Sequence, residues 1–179
     1  MHKAIFLDRD DTINRDTNYL IKFEDFQILD GVIPALRIMQ DAGFLLFITT
    51  NQSGIARGFF SIDQVDNLNC QIHEFLKKNG ITITETVYCP HLENGKVPEF
   101  ATSCDCRKPR PGMILHLQKK YNLDLKRCFS VGDKLRDVQA GEAAGVKSFL
   151  IKSNPESNGI DVPSASQFDS LLDFATSLK

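Results

Sequence analysis

Long apolar runs are missing from this sequence. The longest, Phe44-Leu45-Leu46-Phe47-Ile48, falls far short of the roughly 18–20 residues that a membrane-spanning helix needs. Only a few apolar residues precede Asp8, so a secretory apolar region of about 7–15 residues has no room, and a cytoplasmic location with no membrane partner is expected. A surplus of charge is missing too: 21 Lys plus Arg stand against 23 Asp plus Glu, for a net charge of −2. That excludes a nucleic-acid binder held by bulk electrostatics, which would carry a clustered basic surplus. Any anion must be bound locally. With 11 Gly, 7 Pro and 42% hydrophobic residues, the chain is neither disordered, collagen-like nor a coiled coil. Its 179 residues fit one domain, 1–179, large enough to bury a core without disulfides, and a monomer is expected.

Short apolar, β-branched runs bounded by turn residues predict strands at Lys3–Leu7, Phe44–Thr49, Ile83–Tyr88, Cys128–Val131 and Val146–Ile151. Helical patterns lie between them. Val32, Ile33, Leu36, Ile38 and Met39 crowd one helical face, and Gly43 ends that segment. Ser61 with Gln64 forms a capping-box signature ahead of Val65, Leu68, Ile72 and Leu76, with a stop at Gly80. Pro111 opens a third helix, Leu135 to Ala144 forms a fourth, and a closing helix covers Phe168 to Leu178. Strands alternating with helices of this length predict an α/β fold with a mainly parallel, Rossmann-like sheet and helices on both faces, in three layers. Residues 89–110, with three of the five cysteines and no apolar period, form a long structured loop, and such loops are usually functional. Residues 152–166 are polar and turn-rich.

In open α/β sheets, ligands sit beyond the carboxyl ends of the strands. The first strand runs directly into Asp8-Arg9-Asp10-Asp11-Thr12, and in extended chain Asp8 and Asp10 share a face. Alone, such a pair reads more readily as a solvated acidic turn. The other strand ends favour a hard divalent cation, Mg²⁺, bridging carboxylates to phosphate. The second strand delivers Thr50-Asn51-Gln52-Ser53-Gly54, donors suited to phosphate oxygens. The fourth delivers Gly132-Asp133-Lys134, with Asp137 one turn later, and Arg107-Lys108-Pro109 precedes the third helix. Those residues on one sheet edge predict phosphoryl transfer.

These motifs, with Thr50-Asn51-Gln52-Ser53-Gly54-Ile55-Ala56-Arg57-Gly58, Cys106-Arg107-Lys108-Pro109-Arg110-Pro111-Gly112 and Val131-Gly132-Asp133-Lys134, resemble the haloacid dehalogenase superfamily of aspartyl-phosphate phosphatases. The resemblance spans residues 3–151. Within the superfamily it is strongest to the heptose-bisphosphate phosphatases, with histidinol phosphatases as siblings. It implies a capless, Mg²⁺-dependent enzyme that removes a phosphate from a small phosphorylated sugar, in the making of lipopolysaccharide core precursors. One departure is Asp11, where the family usually has Gly; Asp tolerates a left-handed backbone better than most residues. The chemistry assigns Asp8 as nucleophile and Asp10 as acid and base. Thr50 and Lys108 bind oxygens where charge accumulates, and Mg²⁺ is held by Asp8, Asp133 and the Asp10 carbonyl. Asp137 orients Lys108 or a metal-bound water. The resemblance puts Asp16, Asn18 and Tyr19, the Asn51-Gln52-Ser53 loop, Arg107 and Lys134 against substrate, while Arg57 either contacts it or anchors its own loop.

Cys89 and His91, then twelve residues, then Cys104 and Cys106 supply four soft ligands, the set for structural Zn²⁺. Thiols in a cytosolic chain stay reduced, and four protein ligands leave the ion no open position. Its expected work is to order the loop 89–106 and so place Arg107 and Lys108. Cys70 and Cys128 read as small buried hydrophobes, and His73 and His116 show no partner.

Three rival functions remain. Histidinol phosphatases usually lack the Ala-Arg-Gly found here at 56–58. A receiver-like signalling domain carries its phosphoacceptor after a later strand and no acid two residues beyond it. A binding module on an inactive phosphatase scaffold would not need intact motifs.

Overall fold

The computed structural model describes residues 1–153, 155–163 and 166–178. Its sheet has six strands, all parallel: β1 (Ala4–Leu7), β2 (Leu45–Asn51), β3 (Glu85–Cys89), β4 (Phe129–Gly132), β5 (Lys147–Ile151) and β6 (Gln167–Phe168). Their order is β3-β2-β1-β4-β5-β6. Between them run α1 (Val32–Asp41), α2 (Ile62–Lys78), α3 (Gly112–Tyr121) and α4 (Leu135–Ala143), and α5 (Leu171–Thr176) follows β6.

β1 is buried on both faces, as a strand covered by helices on each side must be. Ile5 and Leu7 pack with Leu36, Met39, Leu68, Ile72 and Phe174, so α1, α2 and α5 share one side. Ala4 and Phe6 pack with Phe47, Ile114, Leu117 and Ala144, which puts α3 and the end of α4 on the other. This is the three-layer α/β arrangement expected. Because β1 pairs with β2 on one edge and β4 on the other, the order in which strands are added to the sheet reverses beside β1. That switch point opens a crevice at the carboxyl ends of β1 and β4, where doubly wound sheets bind ligands.

The α2 capping box forms in both directions: Ser61 Oγ accepts from the Gln64 amide at 3.3 Å, and Gln64 Oε1 accepts from the Ser61 amide at 2.9 Å. Gly43 and Gly80 both take left-handed φ, of 82° and 76°, as helix-stopping glycines do.

Four details differ from the sequence expectation. Phe168 belongs to edge strand β6, and α5 begins only after Ser170 caps it, its hydroxyl accepting from the Asp173 amide at 3.1 Å. β3 starts at Glu85, two residues after Ile83. Cys70 is exposed, because the buried stripe of α2 runs through Val65, Leu68, Asn69, Ile72 and Leu76 and Cys70 falls outside it. His73 has a partner, Thr86 Oγ1 at 2.7 Å. No helix among the described residues is long and apolar enough to cross a membrane.

Candidate active site

The backbone of β1 carries Asp8 into the crevice while still paired: the Asp8 amide donates to the Val131 carbonyl at 2.9 Å. The chain then turns sharply. Asp11 takes a left-handed φ of 57°, its amide donates to Asn14 O at 2.7 Å, and the Ile13 amide donates to Arg9 O at 2.8 Å. The carboxylate of Asp11 accepts from the Asp16 amide at 2.9 Å, so this added acid ties down the loop that follows.

Asp8, Asp133 and Asp137 are all buried, with one oxygen of each within 4.8 Å of the others. Asp8 and Asp137 share the buried Lys108 ammonium, which lies 2.8 Å from Asp8 Oδ1 and 2.6 Å from Asp137 Oδ1 and donates to Thr49 O at 2.8 Å. Burial alone would push the Lys108 pKa down; Asp137 and Asp8 outweigh it and hold the pKa above its ordinary value. Burial raises the Asp137 pKa, with Lys108 opposing. Gly132 is what admits Asp137, since a Cβ there would overlap the Asp137 carboxylate. Asn51 fixes the Lys108 backbone through both ends of its side-chain amide: Oδ1 accepts from the Lys108 amide at 3.0 Å and Nδ2 donates to its carbonyl at 3.1 Å.

Asp10 is held differently. Arg9, only 1% exposed, donates from Nε to Asp10 Oδ1 and from Nη2 to Oδ2, both at 3.0 Å. Such a planar fork fixes the carboxylate plane. Asn14 Nδ2 adds a contact at 3.1 Å, and Gln52 Nε2 reaches Asp10 Oδ2 at 3.3 Å and Thr50 Oγ1 at 3.0 Å.

A cleft of about 200 Å³ opens over these groups. Asp8, Asp10 and Thr50 line it, as do Asp16, Asn18, Tyr19, Asn51, Gln52, Ser53 and Lys134. Burial holds the Asp16 carboxyl above its ordinary pKa; the Asn18 amide opposes this, while Asp10 and Asp11 add to it. Tyr19 stacks edge-on against Phe59, ring centres 4.8 Å apart. Arg107 instead lines a neighbouring cavity of about 390 Å³, its Nη1 donating to His91 O at 3.2 Å.

Close to that cavity, Cys89, His91, Cys104 and Cys106 converge. Sulfur pairs stand 3.0–3.5 Å apart, and His91 Nδ1 lies 3.3 Å from Cys106 Sγ and 3.6 Å from Cys89 Sγ. These separations are too long for disulfides and slightly inside the ~3.8 Å edge of a tetrahedron built on Zn–S bonds of about 2.3 Å. Hydrogen bonding from Cys89 lowers the Cys106 pKa to about 5, against the effect of burial and with help from His91. The donor set suits Zn²⁺. The Asp8, Asp133 and Asp137 group, all hard oxygens with one ammonium beside them, suits Mg²⁺.

Comparison with known proteins places this geometry. The chain matches the HAD-hydrolase-like family over residues 105–171. It is 44% identical over 164 residues to D-glycero-alpha-D-manno-heptose-1,7-bisphosphate 7-phosphatase of Photorhabdus laumondii, covering 88% of this chain and 90% of that protein. The chain belongs to the heptose-bisphosphate phosphatase family of haloacid dehalogenase-like hydrolases. The D-glycero-beta-D-manno-heptose-1,7-bisphosphate 7-phosphatase of Haemophilus influenzae is 41% identical, covering 100% of this chain and 98% of that one. The D,D-heptose 1,7-bisphosphate phosphatase of B. bronchiseptica, solved with magnesium and phosphate, superposes with a TM-score of 0.85 at 30% identity over 99% of this chain and 98% of that one.

Sequence reasoning about this family member missed three residues of the site, Arg9, Asn14 and Arg136. Arg9 could have been suspected from its place between two crevice acids, where only a paired cation is tolerated in burial. Arg136, exposed on the first turn of α4, also lines the cleft, and nothing in its spacing signals that.

Proposed function

We propose that this chain is a phosphomonoester hydrolase that removes the 7-phosphate of a D-glycero-D-manno-heptose 1,7-bisphosphate by way of a phosphorylated Asp8. It works as a cytoplasmic monomer supplying lipopolysaccharide core precursors. The observation that carries this is the buried Lys108 ammonium 2.8 Å from Asp8 at the end of β1, with Asp10 two residues on. One oxygen of Asp8 attacks phosphorus, and the bond from phosphorus to the sugar C7 oxygen breaks. Asp10, protonated, gives its proton to the departing alkoxide. A water then attacks the phosphorus, Asp10 takes its proton, and the Asp8–phosphorus bond breaks to release inorganic phosphate.

Lys108 and the Thr50 hydroxyl meet phosphoryl oxygens where negative charge builds up. Arg9 and Gln52 keep the Asp10 carboxyl aimed, and Asn51 and Asp137 keep Lys108 in place. The Asp8 and Asp133 carboxylates with the Asp10 carbonyl would hold Mg²⁺, which when bound neutralises charge on the transferring group. The Cys89, His91, Cys104 and Cys106 set would hold Zn²⁺ as a structural ion, pinning the loop that carries Arg107 and Lys108. Asp16, Asn18, Tyr19 and Ser53 meet the sugar.

The test is turnover of a phosphomonoester panel with added Mg²⁺. The heptose 1,7-bisphosphate should give the highest kcat/KM, with phosphate leaving C7. Faster hydrolysis of histidinol phosphate would move the assignment to the sibling activity.

A further inference from the structure

The two loops that follow β1 and β2 both line the cleft, and they are built differently. The one after β2 is firmly turned: the Arg57 amide donates to Ser53 O at 3.0 Å, and the Gly58 and Phe59 amides donate to Ile55 O and Gly54 O, both at 2.9 Å. The buried Phe60 ring fills the space that a side chain at Gly54 would need. The loop after β1 is tethered at its ends, where the Arg15 amide donates to Gln27 O at 2.8 Å and Leu20 is buried. Between those tethers residues 16–19 are exposed, and none from 16 to 21 makes a backbone–backbone hydrogen bond among the described residues. Two carboxylates hold the near end, Asp11 accepting from the Asp16 amide at 2.9 Å and Asp16 from the Asn18 amide at 2.8 Å. At the far end the backbone is left-handed, with φ of 57° at Asn18 and 67° at Tyr19, and a bulky side chain keeps that conformation only where its surroundings impose it.

We infer that Phe59 is a positioning residue whose ring clasps Tyr19 and so holds the loop 16–19 over the cleft. The two rings meet edge to face at 84°, centres 4.8 Å apart, an arrangement that aromatic pairs favour. Phe60 backs Tyr19 from 6.4 Å. Phe59 is 55% exposed and Tyr19 44%, so the core accounts for neither ring. Tyr19 lines the cleft, while Phe59 lines a separate groove beside the start of α2, and Phe59 therefore acts through Tyr19. The firm loop lends its order to the loose one. A loop ordered before substrate arrives loses less conformational freedom when substrate binds, so the clasp acts on binding and leaves the chemistry at Asp8 alone. That consequence for binding rests on the proposed sugar-phosphate activity; the clasp itself does not.

The experiment compares the unmodified protein with Phe59→Ala, Phe59→Tyr, Tyr19→Ala and the double variant Tyr19→Ala/Phe59→Ala, each checked for folding by thermal unfolding. Amide hydrogen exchange of the peptide covering residues 16–20 should be roughly tenfold faster in Phe59→Ala, as for a segment whose local opening has become easier, and should return to the unmodified rate in Phe59→Tyr. Steady-state kinetics on the heptose 1,7-bisphosphate should show KM raised about fivefold in Phe59→Ala with kcat little changed. Turnover of acetyl phosphate, which carries no sugar to meet the loop, should not move. In the Tyr19→Ala background, adding Phe59→Ala should change neither exchange nor KM further. Unchanged exchange in Phe59→Ala would overturn the inference. A rise in KM that persists in full in the Tyr19→Ala background would overturn it too, because Phe59 would then act without Tyr19. An unmodified protein that does not turn over the bisphosphate would reject the proposed activity, and the exchange rates alone would then decide the clasp.

Discussion

Lys108 and Asp137 form a buried ion pair 2.6 Å long, and the same ammonium reaches Asp8 at 2.8 Å. A carboxylate on α4 thereby fixes the cation that faces Asp8. The whole of α3 and β4 lies between Lys108 and Asp137 along the chain, and the absence of a side chain at Gly132 leaves the space in which they meet.

Asp137→Asn keeps the shape and removes the charge. We expect it to lower kcat by roughly 10–100-fold, the usual effect of losing a supporting partner, with little change in circular dichroism. A variant with unaltered kcat would show that Lys108 needs no such support.

Arg9→Lys should be far from conservative, because one ammonium cannot replace the two-point grip on Asp10. The fall in kcat should be larger for a sugar phosphate than for an aryl phosphate, whose good leaving group needs less protonation. Equal falls on both would mean that Arg9 acts on something other than the acid.

The purified, reduced protein should hold about one zinc ion on its four-ligand set, resistant to mild chelation, while Mg²⁺ should be needed for turnover and easily removed. Cys104→Ser should lower the unfolding temperature and weaken substrate binding together, since metal binding orders the loop. Elemental analysis that finds no zinc would contradict this.

Much of the fold was legible because its signals are local. The buried β1 reads as an unbroken apolar run, and Ser61, Gln64, Gly43 and Gly80 mark helix ends through chemistry confined to one turn. β6 was hidden because two residues, Gln167 and Phe168, carry no period; only pairing with β5 makes them a strand. In the site, acids and hydroxyls at strand ends stood out because the sheet topology delivers strand ends to one edge. The Arg9 fork depends on a side-chain rotamer, and the Asn51 pairing with the Lys108 backbone joins residues 57 positions apart; spacing encodes neither. Arg136 joins the cleft only because the fold places the first turn of α4 beside it.

His73, partly buried against Thr86, has its pKa lowered from the ordinary 6.5 by burial. The unfolded chain therefore takes up a proton before the folded one does, and stability present above pH 6.5 is lost as the pH falls below it. Urea midpoints at pH values on either side should show a larger loss for the unmodified protein than for His73→Gln. Equal losses would assign the acid sensitivity elsewhere.

The central claim is that phosphate passes through Asp8. The direct measurement is an acid quench of a single turnover with the bisphosphate radiolabelled at its 7-phosphate, followed by peptide mapping of the labelled protein. The account predicts label on the peptide that contains Asp8, absent in a folded Asp8→Asn variant that no longer turns over. Label on another residue, or appreciable hydrolysis of the bisphosphate by Asp8→Asn, would contradict it.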